Sequence, residues 1–350
     1  LLTLTVTLDG DHIVAADVGV GHLHRGAEKL FEARDYRQVM VLANRHDWLS
    51  AFSGELGVAL AVEEQLGIEV PARATWIRTV LAELGRLVHH LSFLTPLAYP
   101  DRREAAQSPS VWAREHVLAA VETATGGRLH VMAARIGGVR QDVPDSWLEQ
   151  LTAATASVRD SVLDLRARTL DQSAFADQFS GRGLITAQQV EAFGLSGAVA
   201  RASGVDLDLR RDRPYLMYDA VADSLDVPLG VQGDALARVA VLMDQVVATA
   251  DLVDALVAHP AARAAGPVDV RLPKVLRVPE GTTSLAVEAP GGISGYVLVS
   301  RGDRVPWRLG LRTPSFSTAS LLPDLLVGST VQDVVTVLQS LQLVIGDLDK

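Results

Sequence analysis

The sequence predicts an α+β protein, a large helical bundle flanked by small antiparallel β elements at both ends. Three observations carry this. The first twenty residues alternate like strands, apolar residues recur at steps of three and four through the middle, and strand texture returns beyond about residue 266.

At the front, two β-prone runs over 2–8 and 12–18 are separated by Asp9-Gly10-Asp11, a turn signal that makes a hairpin. The segment opens Leu-Leu-Thr-Leu-Thr-Val rather than with Met and alternates like a strand, so residue 1 is read as other than the natural start. Helical patterning begins near 26. Its clearest case is 71–93, where Ile77, Val80, Leu81, Leu84, Leu87, Val88 and Leu91 fall on one face. Further helices are expected over 51–66, over 109–125 up to Gly126-Gly127, and over 145–172. Thr186 and Gln189 have the spacing of a capping box, with Gly194 as the stop. A long helix over 234–258 starts at Asp234 and ends before Pro260. Strands follow over 284–288, 295–300 and 307–312, with the polar turn Arg301-Gly302-Asp303-Arg304 between the last two, and a helix over 330–341 closes the chain. The whole reads as one unit: a hairpin to 25, a helical core over 26–260, a β region over 266–315, and a C-terminal helix and tail over 316–350.

Composition narrows the function. A net charge of −10 lacks the basic footprint that phosphates require, so nucleic acid is not expected as a partner. With no cysteine, thiolate zinc sites and Cys-ligated iron–sulfur clusters within this chain are excluded. The most apolar stretch, 239–257, is interrupted by Asp244, Asp251 and Asp254, which argues against a membrane span. No phosphate loop, nucleophile elbow, zinc-protease motif or dinucleotide fingerprint is present, so NAD has no signature here. The pairs His22/His24 and His89/His90 fall short of a metal ligand set, the latter because neighbours on a helix point in different directions, and no metal is expected.

The informative string is Leu23-His24-Arg25-Gly26-Ala27-Glu28-Lys29-Leu30-Phe31-Glu32-Ala33-Arg34. Further blocks follow in order: Arg135-Ile136-Gly137-Gly138-Val139-Arg140-Gln141-Asp142-Val143-Pro144, then Arg201-Ala202-Ser203-Gly204-Val205, then Asp226-Val227-Pro228, and Arg312-Thr313-Pro314-Ser315-Phe316. Over essentially its whole length the chain resembles the D-type, quinone-site subunit family of NADH-quinone oxidoreductases, respiratory complex I, as a divergent member. The resemblance implies a nickel–iron hydrogenase large-subunit-like fold whose metal site has gone and whose vacated space receives a quinone headgroup. The absent cysteines agree, because a nickel–iron centre needs thiolates.

The resemblance further implies that Arg25, Arg45 and His130 lie near a terminal iron–sulfur cluster held by a partner subunit. Guanidinium charges there stabilise an added electron, and an imidazole takes up a proton when it arrives. From the residues alone, Arg25 could instead pair with Glu28 or Glu32, and His130 could be a hydrogen-bonded core residue. Trp48 falls where the family has a quinone-binding tyrosine; an indole keeps the aromatic face and an N–H donor but releases no proton as a phenol does. Trp48 and His130 are thus the quinone-site positions. The family's second headgroup histidine falls just ahead of Leu1. That histidine's aspartate partner aligns with Pro100, with Asp101 adjacent, and a C-terminal family aspartate aligns with Gln342.

The implied role is a peripheral-arm subunit on the cytoplasmic side of the cell membrane. Its partners would be the cluster-bearing subunit, a C-type subunit of the same arm and the membrane subunit at the quinone channel. Quinone is the substrate, other subunits oxidise NADH, no cofactor is held by this chain alone, and the isolated chain is inactive. The alternative, favoured by Trp48, Pro100 and Gln342, is a non-catalytic structural paralogue in a related membrane redox complex that uses another acceptor.

Overall fold

A computed structural model of the chain describes residues 2–350. The expected α+β architecture is present. Strands Thr3–Asp9 and His12–Gly19 form the antiparallel hairpin, with a register shift between Thr7 and Leu8. Four long helices, Ala72–Ala98, Pro109–Thr125, Trp147–Arg168 and Ala235–Ala258, pack into the bundle. At its centre the Trp76 and Trp147 rings meet edge-on, centroids 5.6 Å apart. The Trp76 indole donates to Leu256 O at 2.9 Å, satisfying a carbonyl that the last turn of its helix leaves free. Asp244, Asp251 and Asp254, the residues that argued against a membrane span, face Arg166 and Arg159 on the neighbouring helix. No helix among the described residues is long and apolar enough to cross a membrane.

Three strands, Gly281–Ala289, Gly292–Ser300 and Arg308–Arg312, form an antiparallel sheet in sequence order. It lies on the Ala51–Leu66 helix, where the Tyr296 ring occupies the space that a side chain at position 57 would need, so only glycine fits there. The Tyr296 hydroxyl donates to Ser53 O at 3.2 Å. A second apolar cluster, including Ile13, Leu321, Leu322, Leu326 and Val337, binds the N-terminal hairpin to the C-terminal helices.

Several boundaries differ from expectation for local reasons. The helix expected over 71–93 continues to Ala98 through Pro96, whose missing N–H falls in the final turn and costs one bond only. The pattern over 145–172 breaks after Arg168 into a turn and a separate helix, Ser173–Phe179. Inside the expected helical core, Ala134–Arg135 and Gly138–Val139 make a small β hairpin. The segment expected as one helix and a tail over 316–350 is three helices, Pro314–Leu326, Asp333–Ser340 and Ile345–Leu348. Its first helix opens with Pro at the position where a fixed φ and absent N–H are tolerated.

Candidate functional site

The N-terminal segment after the hairpin, the stretch around 42–48 and the C-terminal tail together enclose a cavity of about 360 Å³. Its lining includes Arg25, Arg45, Trp48, His22, His24 and Lys350. The tail staples the front wall: Asp349 accepts the Gly21 N–H at 2.6 Å and the Leu23 N–H at 2.8 Å. His24 Nδ1 lies 2.6 Å from the Lys350 carbonyl.

Glu28 and Glu32 do not hold Arg25. Both bind Arg308 on the last strand, Glu32 at 3.2 Å, and Glu28 also accepts the Leu311 N–H at 2.8 Å. Among the described residues the Arg25 and Arg45 guanidinium groups have no hydrogen-bond or ion-pair partner, which leaves two exposed positive charges facing one cavity. The Trp48 ring lies against Gly346, where an added Cβ would collide with the indole and with His46 O. Trp48 remains 38% exposed, and its indole N–H has no partner among the described residues, so a donor is available to a ligand.

His130 is not part of the cavity lining; it sits behind Arg45, half-buried, with Nδ1 2.7 Å from Asn44 Oδ1. Burial, reinforced by the Arg45 charge, holds its pKa below the usual imidazole value. The fully buried Asn44 also donates to the carboxylate of Glu55, itself fully buried. Below Trp48 lie two buried carboxylates, Asp47 and Asp347. Asp47 accepts the Ser50 N–H at 3.0 Å and Asp347 the Ser315 N–H at 3.1 Å. Burial pushes both carboxyls up, and for Asp47 the Asp347 charge adds to the shift. His46, buried beside them, is pushed down to about 4 by burial and then by Lys350, so it is neutral.

The other expected positions lie elsewhere. Pro100 is exposed at the end of the Ala72–Ala98 helix, and neither it nor Asp101 reaches the cavity. Asp101 spends its carboxylate on capping the next short helix, accepting from Arg103 N at 2.8 Å and Glu104 N at 3.1 Å. Gln342 is buried with a left-handed backbone, φ 54°, and a side-chain nitrogen without a partner. His89 and His90 do not point apart as helix geometry suggested: both are fully buried, their ring planes cross at 78°, and their Nδ1 atoms are 3.2 Å apart, within reach of a hydrogen bond. No group of three or more potential ligands among the described residues is placed to hold a metal.

Comparison with known proteins decides the family. The model for "Respiratory-chain NADH dehydrogenase, 49 Kd subunit" matches residues 106–277 and 270–350. An NADH-quinone oxidoreductase D-type subunit of Salinispora tropica is 50% identical over 355 residues, covering 100% of this chain and 89% of the relative. That of Streptomyces griseus is 48% identical over 360 residues with the same coverage. The chain belongs to the D-type subunit family of NADH-quinone oxidoreductases. A solved relative, a chain of the membrane-bound sulfane sulfur reductase, an archaeal respiratory membrane complex, superposes with a TM-score of 0.93 at 31% identity, covering 100% of this chain and 94% of that one.

Of the residues that the sequence singled out, Arg25, Arg45 and Trp48 thus share one cavity, and His130 stands one residue behind it through Asn44. Sequence reasoning missed Asn44, Glu55, Asp47 and Asp347. Glu55 alone carried a signal, as the one charged residue in the first three turns of the Ala51–Leu66 helix.

Proposed function

We propose that this chain is the subunit of a membrane-bound NADH-quinone oxidoreductase that forms the quinone site beside a partner's terminal iron–sulfur cluster. The observation that carries the reading is the pair of unpaired guanidinium groups, Arg25 and Arg45, lining one cavity with the free indole N–H of Trp48. Family membership supports it. Fixed positive charge at a wall favours an electron-rich neighbour, and a half-exposed aromatic face with one donor suits a planar headgroup carbonyl. The cluster-bearing partner covers this wall from outside, with a C-type subunit and the membrane subunit at the channel adjacent. Other subunits oxidise NADH. The chain sits peripherally on the cytoplasmic side of the membrane.

Trp48 binds and orients but does not supply a proton; Asp47 and Asp347, the carboxyls that burial keeps protonated to higher pH, are the local proton stock. Trp48→Ala in the assembled complex should lower NADH-to-quinone turnover by about tenfold or more, the loss of one hydrogen-bond donor and its ring contact, while NADH oxidation by a soluble artificial acceptor stays normal. Unchanged quinone turnover in that variant would defeat the quinone reading.

A second reading keeps the same position in a related membrane redox complex but assigns another acceptor. It is favoured by Trp48, Pro100 and Gln342 at positions where the family carries quinone-handling groups, and by the solved relative from a sulfane sulfur reductase. Purified complex that passes electrons to an alternative acceptor and none to quinones of any tail length decides for it.

A further inference from the structure

Glu55 is fully buried and meets donors only. Its carboxylate accepts the Met132 N–H at 2.7 Å, the Ala134 N–H at 2.9 Å and the side-chain amide of Asn44. Met132 holds a left-handed backbone at φ 50°, a conformation costly for a non-glycine residue, and its N–H is tied to Glu55. The carboxylate therefore both anchors the 130–134 loop and faces Asn44.

The hydrogen-bond inventory fixes the protons along this chain of contacts. Asn44 Nδ2 faces two acceptors, Glu55 Oε1 and, at 3.4 Å, Ala51 O, so the NH2 end of the amide must be on that side. Its Oδ1 then faces His130 Nδ1 at 2.7 Å, and the Asn44 backbone carbonyl lies 3.2 Å from the same nitrogen. Two acceptors around Nδ1 require that Nδ1 carry the hydrogen, which leaves the lone pair on Nε2.

We infer that Glu55 is a positioning residue: through Asn44 it holds His130 as the Nδ1–H tautomer, so that Nε2 is the atom that accepts a proton from water when the neighbouring cluster is reduced. This rests on the reading that His130 faces the partner's cluster. In the step, the electron delivered from NADH through the partner subunits goes to the cluster, one N–H bond forms at Nε2, and the imidazolium charge offsets the added electron. Reoxidation returns the proton to water. Other charged groups on the packed elements are Arg45 and Asp47 on the Asn44 segment, Arg135 and Arg140 at the small hairpin, and Glu63 and Arg78, which are committed to each other at 2.6 Å. Burial, opposed by the backbone donors, pushes the Glu55 carboxyl up to about 7, and a protonated Glu55 can donate to Asn44 only if that amide turns. Turning the amide puts its NH2 against Nδ1 and moves the imidazole hydrogen to Nε2.

Glu55→Gln reproduces that turned state when the new amide gives its oxygen to the Ala134 N–H and directs its NH2 toward Asn44. Ring-nitrogen NMR shifts of the full chain carrying nitrogen-labelled histidine, assigned against His130→Ala, should show Nδ1–H in the natural protein and Nε2–H in Glu55→Gln. Adding Asn44→Asp should restore Nδ1–H, because a carboxylate at 44 accepts both from the new amide at 55 and from His130. In the assembled complex, the pH dependence of the cluster's midpoint potential should be lost in His130→Ala and in Glu55→Gln, and regained in the double variant. An Nε2–H tautomer in the natural protein at a pH well above 7, where Glu55 is ionised, overturns the inference even if no variant folds. A wild-type pH dependence in a Glu55→Gln protein that shows Nε2–H, with His130→Ala flat, overturns the positioning role and leaves the cluster reading standing. Undiminished pH dependence in His130→Ala overturns the cluster reading and the inference with it.

Discussion

Two sets of buried charges within this chain are built in opposite ways. In the bundle core, Arg86, Arg201 and Arg210 meet Glu83, Asp208 and Glu288: Arg210 reaches Glu83 at 3.0 Å and Asp208 at 2.8 Å, and Arg201 reaches Glu288 at 3.1 Å. Burial pushes Glu83 and Asp208 up, yet the guanidinium charges outweigh it and hold both carboxyls below the usual range. Glu288, which burial and the Asp208 charge push up, is the exception. Around the cavity, Glu55, Asp47 and Asp347 are buried against backbone and amide donors with no cation bonded to them, and all three carboxyls are raised. The difference teaches which charges are framework and which are poised to change protonation. Carboxylates held between two guanidinium groups, as Glu83 and Asp208 are, stay ionised; those with no cation bonded are pushed toward protonation.

The largest effect should come from unbalancing the core. Arg210→Leu leaves Glu83 and Asp208 without a shared cation in a dry interior, and should cost about 3–5 kcal/mol in chemical denaturation. A loss below that of an ordinary core truncation would mean that the core charges, too, are free to neutralise, and the contrast between the regions would fail.

A smaller, pH-dependent effect is expected at Asp47. Its folded pKa is raised above the unfolded value, so its contribution to stability is fully present below the unfolded carboxylate pKa and is lost as pH rises through the folded pKa. Asp47→Asn removes the charge while keeping an oxygen for Ser50 N–H and should flatten that decline, by about 1–2 kcal/mol at alkaline pH. Unfolding midpoints measured from about pH 4 to about pH 9 would show it, since that window spans the ordinary and the raised carboxyl range. A parallel shift at every pH would assign Asp47 a packing role only.

Much of the framework was legible because its period is local. The 3.6-residue spacing of Ile77, Val80, Leu84 and Leu87 and the Asp9-Gly10-Asp11 turn name their elements without tertiary information. The Pro314–Leu326 helix was hidden by its proline and serine opening. Around the cavity, Arg25, Arg45 and Trp48 were visible through the family resemblance. The contacts that shape their surroundings were not: Arg308 takes Glu28 from 280 positions away, and Met132 reaches Glu55 across 77. No window along the sequence joins them.

The smallest effect tests the C-terminal wall of the cavity. Gln342 holds φ 54°, is 5% exposed and has an unpartnered Nε2, in the segment that goes on to supply Gly346, Asp349 and Lys350 to the cavity. Asparagine tolerates the left-handed region better than glutamine because its shorter amide bonds to the local backbone. Gln342→Asn should therefore stabilise the protein by about 0.5–1 kcal/mol, seen as a small rise in unfolding midpoint. If it does so while quinone turnover falls, the strain at 342 serves the site. If turnover is unchanged, the strain belongs to the framework, and the boundary between the two regions runs between 342 and 346.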